Sequence, residues 1–380
     1  MYVSPAWFPF TNCHARSRLV SAQRLALLTV TKAYRTSSND ALSVAANCPP
    51  ILLVLEKNVK TANIIRHNKD IMVDGEIYHP SQVQRPVPSF LLNPSVLRFY
   101  DVLSSPPSPC PPISIYTDGS RMEGKTGFAF CAWNRGTIIH EFKARLNDYN
   151  TVFQSEVMAI YHAVLWFLNQ EYSEVVIYSD CQSALWALNN FQSKNEFIQK
   201  VQHLLTDPNK YIHFTWVKSH VGVRGNEQAD ILAKEATKHC SVDLDVSIPI
   251  SYIKKKLKSE LYHKWQVDWD ASQKGRHLYK FLPKIKESRI VLPIKIARLL
   301  IGHGPLPVYL NKIGKLIDNF CDCGEVGDTV HYLFSCPLTP VTLRKSTNIS
   351  IPEWTDMMLK SKSLVACCGR TYDYLAETYR

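Results

Sequence analysis

Residues 113–130 read ISIYTDGSRMEGKTGFAF. Apolar side chains alternate with polar ones from Ile113 and again through TGFAF, the period of a half-buried strand, and glycines between the two runs suit an antiparallel pair. Asp118 is expected to end the first strand on a Gly-Ser turn. A carboxylate there is either ordinary turn chemistry or the first member of a metal site.

Outward from this pair, IIHEFKARL (138–146) alternates as a third strand. SEVMAIYHAVLWFLNQ (155–170) sets Val157, Ile160, Tyr161, Val164 and Leu168 at helical spacing, and EVVIYSD (174–180) returns as a short buried strand. CQSALWALNNF and FIQKVQHLL follow as helices, IHFTWVKSH as a strand and NEQADILAKEATK as a final helix. The order βββαβα(α)βα predicts an α/β fold: a mixed five-stranded sheet flanked by helices, with mainly helical N- and C-terminal extensions.

The flanks are less periodic. Residues 23–46 suggest two helical pieces broken near Thr36–Asn39, followed by the apolar run PPILLVLE, and the proline-rich stretch 80–112 suggests a semi-rigid linker. The expected succession is an N-terminal segment 1–79, the linker 80–112, the sheet domain 113–240, a basic helical segment 241–320, a Cys/His block 321–336 and a tail 337–380.

Composition limits the function classes. The formal charge of +11 calls for a polyanionic partner. It is unevenly placed: Ile113 to His239 carries 12 Lys and Arg against 13 Asp and Glu, whereas Ser241 to Phe320 carries 15 against 7. Eleven cysteines without regular spacing point to a reducing compartment, cytoplasm or nucleus, rather than to a secreted disulfide framework. The start MYVSPAWFPF has no charged n-region and is broken by Pro5 and Pro9, and no later apolar run approaches the roughly 18 residues of a membrane span, so neither secretion nor insertion is expected.

Four acids stand at special points of the βββαβαβα unit. Asp118 ends the first strand, Glu156 opens the first helix, Asp180 ends the fourth strand and Asp230 lies one turn into the last helix. Singly, each has a structural explanation as turn, dipole partner or cap. Glu156, however, shares a face with Ile160 and Val164 at i+4 and i+8, which aims a carboxylate at the sheet, where it needs a partner. If the strands of Asp118 and Asp180 are neighbours, the four acids share one small volume and repel unless divalent cations neutralise them. Mg²⁺ or Mn²⁺ suits such an oxygen-rich set.

YTDGS, SEVMAIYHAV, YSDCQSAL and WVKSHVGVRGNEQADILAKEA, in this order, resemble the type 1 ribonuclease H domain. The resemblance implies that Asp118, Glu156, Asp180 and Asp230 hold two Mg²⁺ (or Mn²⁺) ions about 3.5–4 Å apart. It also implies that His220 assists product departure, and that the RNA strand of an RNA–DNA hybrid is cut to 5′-phosphate and 3′-hydroxyl ends. An Asp-x-Glu exonuclease would need a second acid at Ser120, and an integrase would order its acids differently. On the same resemblance Gly119, Ser120 and Asn226 are expected at the nucleic acid. A silent remnant that only binds nucleic acid is the alternative from another class.

The flanks are similar to the segment joining reverse transcriptase to ribonuclease H in Pol polyproteins of jockey-like, non-LTR retrotransposons of arthropods. This implies that residues 1–79 are a remnant of the reverse transcriptase C-terminal or connection region. No polymerase Asp-Asp motif accompanies them, so polymerisation by this chain alone is not expected. Cys321, Cys323, His331 and Cys336 form a C-x-C-x7-H-x4-C pattern, whose donors suit a structural Zn²⁺ or, alternatively, pack as small buried groups. Lys254, Lys255, Lys256 and Lys258 are either a solvated helix face or phosphate contacts to hybrid or RNA. The sequence leaves the oligomeric state open.

Overall fold

A computed structural model describes residues 3–88, 100–103, 105–339 and 349–379. The chain forms two compact units, Met1–Asn63 with Lys256–Arg380 and, between them in sequence, Ile64–Lys255. In chain order the N-terminal helices are α1 (Ser4–Trp7), α2 (Cys13–Thr31), α3 (Asn39–Ala45) and α4 (Ile51–Ile65). Next come the strands β1 (Ile71–Val73), β2 (Glu76–Tyr78), β3 (Tyr100–Leu103), β4 (Ile113–Met122), β5 (Lys125–Asn134) and β6 (Thr137–Leu146). They are followed by α5 (Val152–Leu168), β7 (Glu174–Ser179), α6 (Gln182–Leu188), α7 (Glu196–Leu204), β8 (Tyr211–Trp216) and α8 (Arg224–Ala236). The remaining helices are α9 (Ile250–Ala271), α10 (Arg276–Phe281), α11 (Ile294–Ile301), α12 (Pro307–Lys312), α13 (Thr329–Phe334), α14 (Ile351–Lys360) and α15 (Lys362–Thr378).

The five strands expected from the sequence form the mixed sheet, and β3 adds a sixth at its edge, giving the order β3-β8-β7-β4-β5-β6. β4, β5 and β6 are antiparallel, while β7 runs parallel to β4 and to β8. Both hairpins of this sheet close with two-residue turns, Glu123-Gly124 and Arg135-Gly136, all four residues at positive φ, as primed turns that follow the strand twist require. Of the expected linker 80–112, residues 89–99 and 104 lie outside the described residues, as do 340–348 of the expected tail.

The quoted stretch departs from expectation at its centre. Asp118 does not end its strand, because β4 runs on to Met122 and pairs Asp118 with Ala129 and Gly119 with Phe128. The turn falls instead at Glu123-Gly124. What stops near Asp118 is the parallel ladder to β7, whose last pair is Thr117 with Ser179. Asp118 thus keeps a strand neighbour on one side and loses it on the other, which opens the sheet beside it.

Opposite sheet faces pack different helices. Ile113, Ile115, Phe128, Phe130, Val175, Ile177 and Phe214 bury against Val157, Ile160, Val164 and Phe167 of α5. On the other face Ala129, Cys131 and Trp133 meet Ala229, Leu232 and Ala233 of α8. The other unit has a core drawn from both ends of the chain, including Ala41 and Val44 of α3, Trp265 and Trp269 of α9, Ile296 and Leu300 of α11 and Tyr372 and Leu375 of α15.

Close approach of α8 to β5 depends on Gly127, where an added Cβ would lie 2.8 Å from the Ala233 carbonyl oxygen and 2.9 Å from the Thr237 nitrogen. Backbone atoms on both sides cannot give way as a flexible side chain can. Gly127→Ala is expected to destabilise this unit by about 1–3 kcal/mol, the usual cost of overpacking. A lowered midpoint in thermal unfolding of the full chain checks it.

Candidate active site

Local structure brings the acids to one place. Thr151 caps α5 in a reciprocal box with Gln154, starting the helix so that Glu156 falls on the face shared with buried Ile160 and Val164. Gly119 lets β4 approach this helix: a Cβ there would come within 2.6 Å of the Glu156 nitrogen and of Ser155 Oγ. Asp180 follows the last residue of β7, and Cys181, not Asp180, holds the N-cap position of α6. One ligand atom from each of Asp118, Glu156 and Asp180 lies within 4.8 Å of the other two.

Asp230 stands apart from this trio but lines the same cleft, of about 400 Å³, with Gly119, Ser120, Ser219 and His220. Since α8 begins at Arg224, Asp230 lies almost two turns into its helix rather than the expected one. Its Oδ2 accepts a hydrogen bond from Lys234 Nζ at 2.6 Å. His220 is exposed on the loop before α8 and adopts a left-handed backbone, φ 54°. Asn226, by contrast, is buried and points its amide at Asp180, Nδ2 to Oδ2 3.5 Å, while Ser219 Oγ donates to the same oxygen at 2.9 Å.

The electrostatics leave a role for a cation. Asp118 and Glu156 are each only 6% exposed, too little for water to stabilise their charges. Burial, then the charges of Asp180 and Asp230, push the Asp118 carboxyl up to about 7, with Lys234 opposing. Burial first, then Asp118, Cys181 and Asp180, raise Glu156 well above the usual carboxylate range, against the Gly119 N–H that favours its charged form. Glu156 Oε2 is buried without a hydrogen-bond partner among the described residues. An all-oxygen donor set with an unsatisfied carboxylate fits Mg²⁺ or Mn²⁺, and Asp118, Glu156 and Asp180 are placed to hold a metal ion.

Ser219, Cys181, Ser183 and Lys234 are cleft or supporting residues that the sequence reading missed. Lys234 had a signal, its i+4 spacing from Asp230. Ser219 had none beyond standing next to His220.

The second predicted ligand set also comes together: single donor atoms of Cys321, Cys323, His331 and Cys336 lie within 4.8 Å of one another. Cys321 and Cys336 sulfurs are 3.6 Å apart, and Cys323 Sγ is 3.3 Å from His331 Nε2. Gly324, at φ 90°, turns the chain directly after the short C-x-C spacer. Burial opposes ionisation of Cys321, yet hydrogen bonds from the Cys323 amide and from the Tyr332, His331 and Cys323 side chains together bring the thiol down to about 7. On α9, Lys254 and Lys255 are exposed and Lys258 pairs with Glu287, while Ile253, Leu257, Leu261 and Trp265 form the buried side.

Fold and carboxylate site together define a ribonuclease H domain, and residues 111–238 match the RNase H family model. A relative in Bradysia coprophila, the Retrovirus-related Pol polyprotein from type-1 retrotransposable element R1, is 33% identical over 93 residues, covering 23% of this chain and 9% of that protein. The corresponding R1 2 polyprotein of Nasonia vitripennis is 35% identical over 83 residues, covering 20% of each. The matches therefore span a small part of these relatives. RNase H1 from the halophilic archaeon Halobacterium salinarum NRC-1 is 20% identical, with 33% of this chain and 96% of that chain covered at a TM-score of 0.28. No helix among the described residues is long and apolar enough to cross a membrane.

Raised carboxyl pKa values fix the sign of a pH effect in the metal-free protein. The folded chain retains protons on Asp118 and Glu156 that the unfolded chain releases near pH 4, so the Asp118 contribution to stability falls as pH rises from about 4 to about 7, and the raised Glu156 carboxyl acts in the same direction. Without metal, wild type is expected to lose more thermal stability than Asp118→Asn between about pH 5.5 and about pH 7.5. Added Mg²⁺ should narrow that difference, and melting curves at both pH values measure it.

Proposed function

We propose that this chain hydrolyses the RNA strand of RNA–DNA hybrids, and that it is a piece of a non-LTR retrotransposon Pol polyprotein. The observation that carries the first statement is the convergence of Asp118, Glu156 and Asp180 within 4.8 Å in a ribonuclease H domain. The R1 relatives support the second.

Asp118, Glu156, Asp180 and Asp230 would hold two Mg²⁺ (or Mn²⁺) ions. Bound there, the ions supply activation of the attacking water and stabilisation of the leaving 3′ oxygen. The chain's own part is positioning. Ser219 and Asn226 fix the orientation of Asp180, Gly119 admits Glu156 beside β4, and Lys234 partly offsets the charge of Asp230. His220, exposed at the rim on a loop that includes Gly222, can carry a proton toward the departing product. Gly119 and Ser120 line the cleft where the cut strand would lie, and its 2′-hydroxyl distinguishes RNA from DNA. Exposed Lys254 and Lys255 of the basic segment are available to phosphates of hybrid or RNA.

Labelled hybrid incubated with the full chain and Mg²⁺ should yield cut RNA, with double-stranded DNA left intact. Asp118→Asn should reduce the rate more than about a hundredfold, beyond what loss of a supporting residue costs. His220→Ala should lower turnover by less and leave hybrid affinity unchanged. No cleavage by folded protein in Mg²⁺ or Mn²⁺ would favour the silent remnant.

Cys321, Cys323, His331 and Cys336 we assign to a structural Zn²⁺, since a closed set of sulfur and imidazole donors suits that ion. Ser335 Oγ, 3.4 Å from His331 Nδ1, holds the ring with Nε2 toward Cys323. Elemental analysis should find one zinc per chain, lost with reduced thermal stability in the double variant Cys321→Ser/Cys336→Ser. A zinc-free preparation of equal stability would contradict the assignment.

A further inference from the structure

The unit formed by the two chain ends contains an open pocket of about 810 Å³ that no part of the nuclease reading uses. Its walls come from α2, the segment 36–41, the connection from α9 to α10, and the residues around α11 and α12. Four permanent cations line it, Arg24, Lys274, Arg276 and Lys312, against one carboxylate, Asp40. None of the four enters an ion pair among the described residues. Asp40 is engaged by Ser272 Oγ at 2.6 Å.

Both guanidinium groups are braced. Arg24 donates to Asn39 Oδ1 at 2.6 Å and to the Arg35 carbonyl. Arg276 stacks 3.7 Å from the Tyr279 ring centre and donates to the carbonyls of Trp269 and Asp270. The two lysines are exposed and free to close on a ligand. Surplus charge held in a concave site by preorganised groups favours an anion.

Neutral polar groups share the same walls. His303 Nδ1 meets Thr36 Oγ1 at 3.0 Å, leaving Nε2 without a protein partner among the described residues. Thr329 donates to the Leu299 carbonyl, so His277 Nε2, 2.9 Å away, must donate to Thr329, which makes His277 Nδ1 an acceptor. Burial keeps His277 neutral, its pKa lowered to about 4. Ala41 and Ile301 are the apolar lining, too little for an acyl chain, and the volume exceeds that of a lone phosphate. A duplex presents its phosphates on a convex surface, whereas an unpaired nucleotide can enter a pocket and offer its base edge to imidazole and amide groups.

We propose that this pocket binds the phosphate and base of an unpaired nucleotide, either free or within a single strand of nucleic acid. Fluorescence anisotropy of the full chain with a labelled single-stranded RNA of about 12 nucleotides tests it. The double variant Lys274→Gln/Lys312→Gln should bind at least about tenfold more weakly and show a salt slope smaller by about 1.4, two single-strand phosphate contacts' worth. Lys284→Gln/Lys360→Gln, which removes equal charge from exposed positions outside the pocket, should bind nearly as wild type does.

Competition separates the sources. Displacement of the strand by adenosine monophosphate supports a site that a free nucleotide fills, and displacement by unlabelled strand alone supports one that needs the polymer. Equal binding by wild type and the pocket variant, or equal weakening in both double variants, would overturn the proposal. Unchanged circular dichroism in both variants keeps either result interpretable, and hybrid cleavage is scored separately because these lysines lie outside the carboxylate cleft.

Discussion

Three carboxylates held within 4.8 Å of one another, two of them almost wholly buried, impose an electrostatic cost on which the design of the nuclease domain turns. A sheet that buried all of its strand ends could not accept them. β7 stops at Ser179 while β4 continues to Met122, so the backbone at Asp118 pairs with β5 on one side and lies beyond the last β4–β7 pair on the other. The core formed by Ile113, Ile115 and the α5 residues keeps this geometry rigid when the carboxylates repel.

Much of this was legible in the sequence because its determinants are local. Strand and helix periods depend on neighbours two to four residues away, and they placed the five expected strands and the helices between them. The acids were legible for the same reason: Glu156 shares a helical face with Ile160 and Val164, whatever the tertiary fold. The position of Asp118 within its strand was misjudged because Asp-Gly-Ser has the composition of a turn, and only its pairing with Ala129 and Phe128 keeps it extended. Nothing local distinguishes that segment from Glu123-Gly124, where the chain does turn. β3 was missed for a related reason, since four residues in a proline-rich stretch become a strand only by pairing with β8.

The flanking unit was the least legible part. Its core joins α3 to α9, α11 and α15, residues separated in sequence by the whole nuclease domain. No periodicity reports a contact across that distance. Closing so long an intervening segment has an entropic cost that grows only slowly with length, and a prefolded domain between the two parts shortens the effective loop further. An interrupted unit of this kind is therefore physically reasonable, even though a linear succession of segments describes the order of its sequence.

The two candidate metal sites divide the chemistry by donor type. Asp118, Glu156 and Asp180 offer only hard oxygens in an open cleft, whereas Cys321, Cys323, His331 and Cys336 offer sulfur and imidazole in a largely buried, closed set. Mg²⁺ dehydrates reluctantly and has little affinity for thiolates, so it is excluded from the second set by softness alone. Zn²⁺ is not excluded from the first by affinity, since carboxylates bind it too. An open cleft would favour Mg²⁺ there, since an ion in it can keep part of its water shell. Selectivity at the proposed nuclease site would thus depend on leaving coordination positions unfilled, which a cleft of about 400 Å³ leaves room for.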